Sequence, residues 1–364
     1  MRIVIAAQGE GHHSGTWSGI PYHLGRALEG LGADVGHVNA DPPRQVLRGL
    51  VGLLRASGIR QPSAAHGPEM AAVRTRVVAR RLARERDALV LQLDTGFELP
   101  PGTRYVTLHD MTVAQAVPAG WSDPAMMTRR AAAAWTARDR RICRGALACC
   151  AASDWTAASI VRDYGVDASR VHVTGFGANL ETHPAQRDWS VPRFLFVGRE
   201  WERKNGAAVL AAFRRVREQV PAATLTVVGE HPPIDEPGVE AFGRPDLAVG
   251  EDRARLAGLF ERSTCFVLPS LMEPFGIVYL EAGAAGIPSI GTSWGGAATP
   301  IGDGGVLVDP GDEEQLVAAM LRLADPATAQ ELGRRARAHA ARFTWTRVAE
   351  RVLAALEPAP APVA

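Results

Sequence analysis

Lysine is almost missing from this chain. Of 40 basic residues, 39 are arginine and one is Lys204. A solvated lysine drifts readily to arginine under such a bias, so one that stays points to a site needing a compact ammonium. Cysteine is scarce too: Cys143, Cys149, Cys150 and Cys265, with no CxxC pair. That spacing gives a metal site no support, so the thiols read as small buried apolar groups in a reducing compartment. No run of about 18 apolar residues occurs, which excludes a membrane-spanning helix. The opening Met1-Arg2-Ile3-Val4-Ile5 is too short for a signal-peptide core and reads as a buried strand. A net charge of +1 removes the electrostatic case for nucleic acid as a partner. The expected location is therefore cytoplasmic.

What is present is a repeating alternation. At 364 residues, 46% of them hydrophobic, the chain is long enough for two domains. Apolar runs at Ile3–Ala6, Asp34–Val38, Ala88–Leu93, Tyr105–Leu108 and Ala146–Ala151 read as buried strands, with helical spacing between them. The polar stretch Glu181–Ser190, with Pro184 and no periodicity, reads as a linker. Beyond it the alternation restarts with Phe194–Val197, Ala223–Val228, Cys265–Leu268, Pro288–Gly291 and Val306–Val308. The tail from Glu313 to Leu356 reads as largely helical. Strands separated by helices imply α/β architecture with parallel sheets covered on both faces. We expect a domain over residues 1–185 and another over 186–343, with a helix about 344–357 packing back on the first. Two doubly wound domains of this kind face each other across a cleft, with ligands beyond the carboxyl ends of their strands.

Charge divides unevenly. Residues 1–185 carry 21 arginines against 16 acids, and 186–364 carry 19 basic residues against 23 acids. The excess gathers at Arg74, Arg76, Arg80, Arg81, Arg84 and Arg86. Segment 74–86 is thus the candidate for peripheral membrane contact, the alternative being a solvated helix face.

Two segments carry chemistry. In Glu273-Pro274-Phe275-Gly276-Ile277-Val278-Tyr279-Leu280-Glu281, a strand leads through a loop into a helix beginning near Gly276. A helix start offers unpaired N–H groups and a positive dipole end to a diphosphate. Glu273 lies just before the helix and Glu281 within it, where a carboxylate can accept from sugar or ribose hydroxyls. In Phe196-Val197-Gly198-Arg199-Glu200-Trp201-Glu202-Arg203-Lys204-Asn205-Gly206, a buried strand opens into a charged loop. Arg199 and Lys204 stand five residues apart, so fork and point charge can reach one phosphate pair. The loop Gly9 to Gly19 is too long for a dinucleotide fingerprint. The adjacent His12 and His13 are not read as metal ligands.

These residues resemble glycosyltransferase family four, also described as glycosyl transferases group 1, a large retaining family of GT-B fold. The Gly198-Arg199…Lys204-Asn205-Gly206 loop is similar to the family's GR…KG, and Glu273 to Glu281 to its paired-glutamate signature. Gly286-Ile287-Pro288-Ser289-Ile290, Trp294-Gly295-Gly296 and Gly305-Val306-Leu307-Val308-Asp309-Pro310-Gly311-Asp312 follow in the family's order. The first domain matches through Ser18-Gly19, His109-Asp110 and Ser153. The resemblance implies transfer of a hexose-type sugar from a UDP- or GDP-linked donor to an acceptor hydroxyl on a glycan, lipid-linked or natural-product molecule. It implies that Arg199 and Lys204 bind the donor diphosphate, Glu281 the ribose and Glu273 the donor sugar. Phe275, Gly276, and with them Pro274, Ile277 and Gly198, line the donor. His109 matches a histidine near the sugar ring, and Gly19 a loop over the diphosphate. It implies no metal and no cofactor, the nucleotide sugar being a co-substrate. Two departures bear on donor choice: Asn205 stands inside the KG pair, and Ala297-Ala298-Thr299 stands where an acid often follows GG. The competing readings are a nucleotide-sugar epimerase of the same fold and a non-catalytic nucleotide-sugar-binding module.

Overall fold

The computed structural model describes residues 1–13, 15–58, 66–85, 87–120 and 127–356. Ser14, Arg86 and Glu357, which fall in segments of the sequence reading, lie outside them. The chain forms two compact units: Met1–Thr174 with the segment from Trp345 onward, and Gly175–Thr344.

The first unit is built on a parallel six-stranded sheet of order β2-β1-β3-β4-β5-β6. Its strands are β1 Arg2–Ala7, β2 Asp34–Asn39, β3 Leu89–Gln92, β4 Tyr105–His109, β5 Cys149–Ala151 and β6 Val171–Val173. β1 and β3 are apolar and buried along nearly their whole length, as strands covered on both faces must be. β1 pairs in register with β2 through Ile3–Val35 and with β3 through Ile3–Leu89. Helices Ile20–Gly30, Pro68–Leu82, Arg129–Gly145 and Asp154–Tyr164 connect the strands. Ser153 caps the last of these by accepting from the Thr156 N–H, which satisfies one of its orphan donors.

The second unit repeats the design with order β12-β11-β10-β7-β8-β9, again all parallel. Its strands are β7 Arg193–Gly198, β8 Thr224–Gly229, β9 Val239–Phe242, β10 Cys265–Leu268, β11 Ser289–Thr292 and β12 Gly305–Val308. Phe194, Phe196, Phe213, Phe260 and Phe266 fill the space between sheet and helices. Each such side chain stabilises the fold by about 1.5–3 kcal/mol through its burial.

The division between units falls about ten residues before the expected 185/186 boundary. The expected linker Glu181–Ser190 and the residue before it are no free tether, because their side chains and the His183 N–H are tied to the second unit. Leu180 is in that unit's core, Thr182 Oγ1 donates to Glu281 O at 2.7 Å, and Arg187 donates to Ser263 O and Ala285 O. Edge strands β6 and β9 were not among the expected strands. They are three and four residues long and only partly buried, so they lack a long apolar run. Helices Arg44–Ala56 and Gly250–Arg262 were likewise not expected. Among the described residues no helix is long and apolar enough to cross a membrane.

Helix Trp345–Ala354 closes the first unit. Val348, Ala349 and Val352 are buried, Trp345 stacks on His23 at 5.8 Å, and Arg351 donates to Thr174 O at 2.9 Å. Stopping the chain after Thr344 should lower the melting temperature of the first unit and strip hydrogen-exchange protection from Ile20–Gly30. Unchanged protection there would show that the helix is dispensable.

Candidate active site

In the second sheet the chain steps from β7 to β8 on one side and from β10 to β11 on the other. Loops leaving the carboxyl ends of two such neighbours diverge to opposite faces and open a crevice, the usual ligand position of an open parallel sheet. Here they are residues 199–205 and 269–276, the two segments singled out by sequence.

The loop after β7 is tightly wound. Glu200 and Asn205 are both left-handed, with φ of 59° and 61°, a conformation uncommon outside glycine and best tolerated by asparagine. The Lys204 N–H donates to Glu200 O at 3.0 Å, and Asn205 Nδ2 donates to Pro310 O at 2.9 Å. This turn aims Lys204 inward, leaving its side chain 12% exposed. Lys204 Nζ donates to Glu273 Oε2, and Ser270 Oγ donates to the same oxygen at 3.0 Å. Burial pulls the Lys204 pKa down, opposed by the Glu273 carboxylate. Arg199 is the opposite case: it is exposed and makes no hydrogen bond or ion pair among the described residues. Partial burial and the neighbouring Arg244 guanidinium lower its pKa. The pair of loops thus offers one sheltered ammonium and one open guanidinium. Gly198 ends β7 with its α-carbon against the Lys204 stem.

The loop after β10 is braced by the glycine pair at 295–296. Glu273 N–H donates to Trp294 O, and Gly296 N–H donates to Glu273 O at 2.8 Å. Gly295 has φ of 109°, and a Cβ there would stand 2.2 Å from Glu273 O, so only glycine permits this approach. Phe275 is a core anchor, its ring 5.2 Å from Phe176 and 6.3 Å from Phe343, so it offers a ligand only its backbone. Gly276 begins helix Ile277–Ala284, which has neither a side-chain cap nor an acid in its first turn. Its first N–H groups are therefore unclaimed donors at the positive end of the helix dipole. Tyr279 Oη donates to Leu268 O at 2.6 Å and ties that helix start to β10.

Glu281 is buried as well. Its Oε1 accepts the N–H groups of Leu180 at 3.1 Å and Asn179 at 3.3 Å, and burial pushes its pKa up to about 7. Its second oxygen makes no hydrogen bond to the described residues. Asn179 and Leu180, which hold Glu281, lie just before the stretch Glu181–Ser190 and were passed over by sequence reasoning.

The first unit places its residues at its own reversal, between β1 and β3. Trp17, Ser18 and Gly19 are consecutively left-handed, with φ of 50°, 53° and 79°. Trp17 Nε1 donates to Gln8 O at 3.1 Å. Gln8 Nε2 donates to Asp94, whose Oδ1 accepts the Gly96 N–H at 2.7 Å; burial raises the Asp94 pKa. Sequence reasoning passed over Gln8 and Asp94, although Asp94 directly follows the buried run of β3. His109 ends β4 buried, with Nε2 3.4 Å from Cys143 Sγ and Nδ1 3.9 Å from Asp139 Oδ1. Its nitrogen edge is thus turned into its own unit. His109, Asp139 and Cys143 form a group of metal-type donors with ligand atoms within 4.8 Å of one another. Asp139 Oδ2 is already engaged by the Val113 N–H and Tyr164 Oη, and the four cysteines are buried free thiols.

Glu281 generates a pH dependence. Its folded pKa of about 7 lies above the ordinary 4.5, so the folded state binds the proton more tightly. The contribution is complete below about pH 4.5 and is lost as pH rises through about 7. Wild-type stability relative to Glu281→Gln should therefore fall across that window in denaturant unfolding. A flat difference would mean that the carboxyl is not held as described.

Residues 191–325 match the family described as Glycosyl transferases group 1. The chain is 36% identical over 201 residues to a glycogen synthase of Mycobacterium tuberculosis (strain CDC 1551 / Oshkosh), covering 52% of this chain and 46% of that protein. It is 30% identical over 223 residues to a D-inositol 3-phosphate glycosyltransferase of Rhodococcus opacus (strain B4), covering 53% and 49%. The chain thus spans about half the length of the curated relatives it matches. The solved sucrose-phosphate synthase of Thermosynechococcus elongatus superimposes with a TM-score of 0.69 at 21% identity, covering 97% of each chain. With two parallel six-stranded sheets and this likeness, the chain has the GT-B fold, and its second unit carries a glycosyl transferases group 1 domain.

Proposed function

We propose that the chain is a retaining, metal-independent glycosyltransferase of family four, transferring a hexose-type sugar from UDP or GDP to an acceptor hydroxyl. The observation that carries this reading is the buried Lys204–Glu273 pair at the β7/β10 crevice, with Arg199 open beside it. Cleaving a sugar–phosphate bond builds negative charge on the departing diphosphate. Fixed cations and a helix start aimed at that charge stabilise the transition state. Arg199 grips the diphosphate as a fork, and Lys204 turns from Glu273 to a phosphate oxygen. Glu273, released, accepts from a hydroxyl of the donor sugar. The unclaimed N–H groups behind Gly276 take further phosphate or sugar oxygens. The second oxygen of Glu281 accepts from the ribose. In a retaining transfer the acceptor attacks from the face the diphosphate leaves, so its proton passes to the departing phosphate oxygen and no protein nucleophile is needed.

The group 1 match over the donor-side unit and the named relatives support the transfer class. Four free buried thiols suit a reducing, cytoplasmic compartment. By resemblance His109 stands near the sugar ring and Gly19 over the diphosphate. With the His109 nitrogens turned toward Cys143 and Asp139, a direct bond to the sugar would need the ring to rotate.

The test is thermal stabilisation by nucleoside diphosphates and nucleotide sugars, with and without EDTA. A donor at 100 times its Kd adds about 2.7 kcal/mol. The expected result is a shift selective for one base and unaffected by EDTA. Lys204→Ala should then lower turnover about 10²–10³-fold. No shift with any nucleotide, or wild-type turnover in Lys204→Ala, would overturn the assignment.

A further inference from the structure

Helix Arg44–Ala56 follows edge strand β2 of the first unit, and none of its described residues is buried. Val46 is 49% exposed and Leu53 68%. At 100° per residue, Val46, Leu47, Val51 and Leu53 spread over an arc of about 160°, with Arg44 about 20° and Arg48 about 60° beyond one edge. That arc is far wider than the narrow seam one partner helix would cover. The helix also carries Gly49 and Gly52, which weaken it, and a helix of this length is marginal in water without a covering surface.

Charge selects the cover. From Pro42 to Pro68 the sequence holds Arg44, Arg48, Arg55 and Arg60 and no acid. Arg44 and Arg48 make no ion pair among the described residues. A wide aliphatic arc edged by unpaired arginines fits a planar apolar phase with an anionic rim. Thirteen residues span roughly 20 Å, too short to cross a bilayer but suited to lying in its interface. The arginine-rich segment 74–86 is less suited. Arg74 is buried against Asp41 at 2.9 Å, and Met70, Ala71, Val78 and Leu82 are spent in the core.

We propose that helix Arg44–Ala56 is a peripheral anchor that seats the first unit on an anionic lipid surface. The helix starts three residues after Asp41, and the Gly9 N–H bonds both Asn39 and Asp41. The anchor therefore adjoins the carboxyl edge of the first sheet.

The full chain is floated with phosphatidylcholine vesicles, with and without phosphatidylglycerol, at low and high salt. Wild type should bind the anionic vesicles, bind neutral ones weakly, and release in high salt. Val46→Glu combined with Leu53→Glu should lower the bound fraction about tenfold. Arg44→Glu with Arg48→Glu should lower it similarly. Both variants should keep the wild-type melting temperature, since the changed side chains are not buried. Failure of wild type to bind anionic vesicles, or equal binding by the double variants, overturns the proposal. A dimer in light scattering that the Val46 and Leu53 changes dissolve, without vesicle binding, would instead give the face to a second copy.

Discussion

Lys204 Nζ meets the Glu273 carboxylate with water largely excluded, and the loops after β7 and β10 are arranged around that contact. Desolvating both charges costs nearly as much as their attraction returns, while stranding either one would cost about 3–5 kcal/mol. The fold therefore has to hold the two together closely. It does so with two left-handed non-glycine residues around Lys204, the Ser270 hydroxyl on the shared oxygen, and the close passage of Gly295 under Glu273. A phosphate arriving here would meet an ammonium already largely desolvated.

The same constraint explains what was legible in advance. Strands buried on both faces announce themselves as apolar runs, so ten of the twelve were expected, and the short, half-exposed β6 and β9 were not. The residues of the β7 and β10 loops were legible because they sit directly after two of those runs, where a strand hands over to a helix. Lys204 stood out further by being the chain's lone lysine. What a linear reading could not supply was direction. It assigned His109 a place after a strand, but not the turn of its nitrogens toward residues 30 and 34 positions away. It likewise assigned Glu281 to a helix, but not to the backbone of Asn179 and Leu180, some hundred residues earlier.

The stretch Glu181–Ser190 failed as a linker for a related reason. Polar, aperiodic residues look the same whether their polar groups are hydrated or bonded to a neighbour. Here the Glu281, Ser263 and Ala285 carbonyls accept from the Thr182 and Arg187 side chains. Helix Arg44–Ala56 shows the converse: it was not expected from sequence, and none of its described side chains is buried.

Because Trp345–Ala354 belongs to the first unit, that unit is discontinuous in sequence. During synthesis the N-terminal sheet emerges first, yet the helix covering His23 and its neighbours arrives only after the whole second unit has been made. Domains generally fold as units in order of emergence. Here the second unit has all its residues, Gly175 to Thr344, before the first is complete. The first unit must therefore wait, partly uncovered along helix Ile20–Gly30, for some 170 residues of unrelated sequence to pass.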